Sequence, residues 1–163
     1  MTSLLAQFER IVRQFPATEA RQGDSELLDP AETHPFETRN IHPDLPIKVR
    51  KLFDDGHPNH AVFEAFKYIE KEIKRLSGVR KTGFPLMMDA FNENAPKIQL
   101  NDLQTESEVD EQSGFRHLFA GAVAGIRNPR GHEVDLVDNP DEALDYLALV
   151  SLLLRKLDDC GVR

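Results

Sequence analysis

The chain has 163 residues, 40% of them apolar, which is enough for one core of ordinary domain size and leaves little for a second. Its 20 Lys and Arg against 28 Asp and Glu give a formal charge of −8 and a pI near 5.2, which argues against wholesale wrapping of nucleic acid but leaves room for a small basic cleft. The single cysteine, Cys160, excludes an internal disulfide. No signal-peptide pattern and no apolar run near the roughly 20 residues of a spanning helix is present, so the expectation is a soluble cytoplasmic protein that contacts no membrane.

Between Ser3 and Phe15, the residues Leu4, Leu5, Phe8, Ile11, Val12 and Phe15 recur three and four apart, predicting an amphipathic helix stopped by Pro16. We place this N-terminal helix in residues 1–20. Residues 21–40 lose periodicity and gather Gly23, Asp24, Asp29, Pro30 and Pro35, as expected of an irregular linker. The domain proper is expected over residues 41–163.

His42-Pro43 opens a short helix whose apolar face is Leu45, Val49, Leu52 and Phe53, ending at Gly56. The clearest helix follows, with Val62, Phe66, Ile69, Ile73 and Leu76 alternating at intervals of four and three until Gly78 stops it. On its polar face and just beyond, Lys67, Lys71, Lys74, Arg75, Arg80 and Lys81 outnumber Glu70 and Glu72. Such a run is most often a solvated face of helix-spaced ion pairs; the sharper reading is one wall of an RNA groove, with Lys74 and Arg75 touching substrate.

Phe84 to Phe91 is read as a short core helix, and Asn92 to Asn101 as turns in which Lys97-Ile98-Gln99-Leu100 could pair as a minor β hairpin arm. The acidic stretch Glu106 to Glu111 suits a helix entry. Phe115, Phe119, Ala122 and Ile126 then share a face. Gly121 and Gly125, each costing roughly 1 kcal/mol in a helix relative to alanine, suggest close approach of another backbone, from a neighbouring helix or a second subunit. The last helix starts at Asn139-Pro140, with Glu142 placed as a capping-box glutamate, and runs to about Asp159. Leu147 to Leu154 is apolar nearly all round, which points to burial in a dimer interface. The fold class is therefore all-α, a bundle of about four core helices.

The chemistry concentrates in Gly125-Ile126-Arg127-Asn128-Pro129-Arg130-Gly131-His132. Proline disfavours helical geometry in the residue before it, so the helix is expected to end at Arg127 and His132 to lie in the loop beyond. A permanently charged planar guanidinium and an imidazole titrating near neutrality could act together on a phosphodiester. Without that chemistry, Arg127 and Arg130 would only complement the helix C-terminus.

The order His42-Pro43, Leu52-Phe53-Asp54-Asp55-Gly56-His57, Ala61 to Lys67, Leu86-Met87-Met88, Phe119-Ala120-Gly121, Arg127 to Glu133 and Tyr146 to Leu153 resembles the Ymh-type family of uncharacterised prokaryotic proteins. The resemblance covers roughly residues 41 to 159. That family looks like a branch of the HEPN superfamily, whose signature is an arginine, usually followed by a polar residue, and a histidine with four to six residues between the two. Arg127, Asn128 and His132 match it with four residues between arginine and histidine.

The resemblance implies a metal-independent endoribonuclease, often a toxin or antiviral effector, with a composite site across a homodimer. His132 would be general base or acid, Arg127 the phosphate clamp, and Asn128 a ligand of the substrate or an orienter of His132, with Arg130 lending further substrate contact. The expected product is a 2′,3′-cyclic phosphate. Superfamily members that keep the bundle without the activity imply the other reading, a non-catalytic dimer binding nucleotide, RNA or protein. Some superfamily toxins carry a tyrosine two residues after the histidine that a partner enzyme modifies; here Val134 stands there, so that regulation is not expected.

No cofactor and no metal site is expected. His57 and His60 stand three apart without accompanying carboxylates or thiols, and Cys160 lacks an obvious base. No nucleophile elbow, P-loop or dinucleotide fingerprint occurs. The N-terminal helix is a candidate docking element for a regulatory protein partner.

Overall fold

A computed structural model of the protein describes residues 33–132 and 139–163. The N-terminal helix expected over residues 1–20, and most of the linker expected over residues 21–40, lie outside the described residues. The described chain is all-α. Its elements are α1 (Pro35–Thr38), α2 (Ile47–Asp54), α3 (Pro58–Ser77), α4 (Gly83–Ala90), α5 (Glu106–Ala122), a π-helical segment (Val123–Arg127), α6 (Asn128–His132) and α7 (Pro140–Asp159).

Helix α3 is the central member, packing against α2, α4, α7, the π segment and α6. Its periodic apolar residues do what their spacing demands: Val62, Phe66, Ile69 and Ile73 are buried. Pro58 occupies the first turn, where its missing N–H costs nothing, and Gly78 ends the helix in the left-handed region at φ 67°. The packing continues through Leu86, Met87 and Ala90 of α4 and through Phe91, which stacks on Phe119 of α5 with centroids 4.4 Å apart. From α7, Leu147, Val150, Leu153, Leu154 and Leu157 close the core.

The compact body begins at Thr33 and includes α1. Phe36 is buried, and His34 caps α1 through Nδ1 while its Nε2 lies 2.7 Å from Asp54. His42 is buried too: its Nδ1 accepts the Asp44 N–H at 3.2 Å, leaving Nε2 to donate to Asp158 at 2.8 Å. Arg163 pairs with Asp44 and Asp158 over the same spot.

Among the described residues there is no strand, so the hairpin arm expected at residues 97–100 does not form. Its backbone groups go elsewhere. Gln112, fully buried on α5, accepts the Leu100 N–H at 2.9 Å and donates to the Phe91 and Ile98 carbonyls at 3.0 Å each. Together with the Ala90 carbonyl, which accepts the Lys97 and Ile98 N–H groups at 2.9 Å each, this side chain replaces a ladder for a segment whose Ile98 and Leu100 are buried.

The acidic helix entry is a full capping box at α5, with the Glu108 N–H on Thr105 Oγ1 and the Thr105 N–H on Glu108 Oε2. At α7, Asn139 caps as expected, but Glu142 does not reach back; it accepts the Tyr146 hydroxyl at 2.8 Å instead. The near-continuous apolar run of α7 is largely covered within the chain, Leu152 being the exception at 52% exposure. Beside Gly121 and Gly125, an added Cβ would meet nothing within 4 Å, so no neighbouring helix of the described chain makes the close approach expected there.

Candidate functional site

The helix does not end at Arg127. Asn128 holds helical dihedrals of φ −65° and ψ −45°, and its N–H bonds to the Val123 carbonyl, five residues back. Pro129 explains the register. In a plain α-helix its ring would collide with the Gly125 carbonyl and its missing N–H would leave a gap, whereas the wider π turn relieves the collision and lets the helix continue into α6. His132 therefore lies within a helix, not in a loop, and it is exposed.

Arg127 turns inward from this segment. Its Nε lies 3.6 Å from Glu70 Oε2, its guanidinium carbon 5.3 Å from the centre of the Phe63 ring, and its Nη1 donates to Asn128 Oδ1 at 3.2 Å. Its side chain retains 27% exposure, against 9% for Glu70. Asn128 thus braces the arginine rather than His132. The other Glu70 oxygen, Oε1, accepts the N–H of Gly83 at the start of α4 at 2.8 Å.

Arg130 points to the opposite neighbour. Its guanidinium lies 4.4 Å from the Tyr146 ring of α7, and its Nη1 donates to the Ile126 carbonyl at 2.8 Å. The Tyr146 hydroxyl bonded to Glu142 has its pKa raised by that bond. The short helix carrying His132 is therefore held between Phe63 on one side and Tyr146 on the other. At Gly131 a Cβ would stand 3.1 Å from the Phe63 ring, so only glycine fits there without moving the ring.

The two basic residues expected to touch substrate separate. Lys74 is exposed one turn beyond Glu70 on the same side of α3. Arg75 stands roughly 140° round the helix from Glu70, bonded to Glu72 at 2.7 Å. The polar face carries the ion pairs of a solvated helix, Lys67 with Glu64 and Arg75 with Glu72, and in the connection beyond it Lys81 pairs with Asp89 of α4. Glu70 is not one of that surface set.

Glu70 and Phe63 are the site residues that sequence reasoning missed. Seven apart on α3, both flank the apolar register, and that shared edge was the available signal. His57 and His60 lie with ring centres 5.9 Å apart, and among the described residues no cluster of three or more His, Cys, Asp or Glu could hold a metal. Cys160 donates its thiol to the Leu100 carbonyl, and burial pushes the thiol's pKa up, away from reactivity. Val134 lies outside the described residues.

Fold and site together define a helical-bundle protein with an arginine braced within a π-helical segment and an exposed histidine on the helical turn that follows. More particularly, the chain belongs to the family described as protein of unknown function (Hypoth_ymh), whose profile matches residues 39–157. Neither the curated proteins nor the solved structures gave a significant match. Among the described residues, no helix is long and apolar enough to cross a membrane.

Proposed function

We propose that the protein is a metal-independent endoribonuclease of the HEPN type, acting on RNA in the cytoplasm as a homodimer, in the manner of a toxin or antiviral defence effector. The observation that carries the reading is the placement of Arg127, Asn128 and His132 on one continuous helical stretch, with the arginine braced by Glu70 and Asn128 and the histidine open to solvent.

In this reading His132 takes the proton of the ribose 2′-hydroxyl, or gives one to the leaving 5′-oxygen, and the partner's copy serves the other step. Arg127 balances the charge that grows on the phosphate oxygens. Lys74, on the same side of α3 as Glu70, lines the approach; Arg75 is turned away from it. A regulatory partner would act on the dimer from outside this site.

The test is incubation of the purified protein with mixed cellular RNA in EDTA, beside His132→Ala and Arg127→Ala. Cleavage leaving 2′,3′-cyclic phosphate ends, reduced about 10²–10⁴-fold in His132→Ala, is the expected result. One observation favours a second reading, a non-catalytic dimer that binds nucleotide, RNA or protein: Glu70 already balances part of the Arg127 charge within the chain. Absence of cleavage by a folded dimer that still binds RNA would decide for it.

A further inference from the structure

We infer that Glu70 is a positioning residue for Arg127, setting the plane in which the guanidinium meets a phosphate; the inference rests on the ribonuclease reading above. A carboxylate taken out of water must be compensated by hydrogen bonds or an opposite charge. Glu70, 7% exposed, has one of each. Oε1 holds the Gly83 N–H at 2.8 Å, and Oε2 faces Arg127 Nε at 3.6 Å. Oε2 and Nε are both buried, and neither makes a hydrogen bond.

At that separation the attraction between the charges persists, while the pair remains longer than a hydrogen bond. A guanidinium recognises phosphate through a planar fork, so its orientation matters as much as its charge. Three contacts hold that fork: Glu70 near Nε, Asn128 at Nη1 and the Phe63 ring, whose centre lies 5.3 Å from the guanidinium carbon. Asn128 is the neighbouring residue and moves with the arginine. Glu70 and Phe63 belong to α3, so they tie the fork to the packed bundle rather than to its own helix end. Through Gly83, the same carboxylate also registers α4 against α3.

A merely structural Glu70 would serve fold stability alone, and the experiment separates the two roles. Glu70→Gln keeps the volume and an acceptor for Gly83 but removes the charge; Glu70→Asp keeps the charge one methylene further back. Both are made in the full chain, checked for native Tm, and assayed on RNA in EDTA, with the Arg127 Nε–H followed by NMR of 15N-labelled protein.

Positioning predicts a kcat lower by roughly 10–100-fold in Glu70→Gln at little-changed KM, with Glu70→Asp between it and the native protein. It also predicts faster solvent exchange of the Arg127 Nε–H in Glu70→Gln. Native kcat in a folded Glu70→Gln, beside active native protein, overturns the positioning role and leaves the ribonuclease reading intact. Should Glu70→Gln fail to fold, Glu70→Asp decides: reduced kcat at native KM supports the role, and native kcat overturns it. No cleavage by the native protein overturns the ribonuclease reading and this role with it.

Discussion

Arg127 pairs with Glu70 of α3, a residue distant from it in the chain. Glu70 reads as one more charge on a polar helix face; it is the approach of the π segment to α3 that buries it. Removing Arg127 therefore has a cost that removing an exposed arginine lacks, because a buried carboxylate is left without its counter-charge. We expect Arg127→Ala to lose about 1–3 kcal/mol in urea unfolding, less than a fully buried pair loses because Arg127 keeps 27% of its side chain in water. The double variant Arg127→Ala with Glu70→Gln should regain part of that loss, since the unpaired charge is gone. Equal stability of the single and double variants would show that the pair is not coupled. The same measurement guards the activity assay, separating a missing phosphate clamp from a smaller folded fraction.

At the level of elements, helix starts were the most readable feature, because capping uses adjacent residues and short-range hydrogen bonds. Asn139-Pro140 begins α7 as its types require, and the acidic entry of α5 became a box closed by Thr105. The backbone N–H groups of Thr105 and Gln104 hold the Glu108 carboxyl below the ordinary glutamate range, and the Lys156 ammonium does the same for Glu111. A carboxyl whose pKa falls on folding binds more protons in the unfolded chain, so its contribution is present at neutral pH. That contribution is lost as pH falls from the ordinary value of about 4.3 through the lowered folded value. Urea midpoints should thus drop below about pH 4.3, and Glu108→Gln should flatten the drop; an unchanged slope would remove Glu108 from the acid response. The end of the Arg127 helix was misread for the opposite reason. Pro129 carries a strong local bias against helix, but a π turn, an option beyond local propensity, absorbed it.

Across the whole molecule, one buried polar residue and the Ala90 carbonyl together hold a segment that has no strand partner. Gln112 ties residues 91–100 to α5 through three hydrogen bonds from a fully buried side chain. Gln112→Leu would strand the Leu100 N–H and the Phe91 and Ile98 carbonyls, and we expect a loss of about 2–4 kcal/mol in chemical denaturation. A loss under about 0.5 kcal/mol would mean that water or rearranged backbone serves those groups as well. The all-α class and helices α3 and α7 were determined by the sequence itself, because a periodic apolar face and its caps are set by residues at most four apart. Only the tertiary structure decided that residues 97–100 form no strand, that Gly121 and Gly125 meet no neighbouring helix among the described residues, and that Glu70 and Phe63 meet Arg127. Each of those outcomes depends on which distant element fills the adjoining space, and a residue's sequence neighbours carry no record of that.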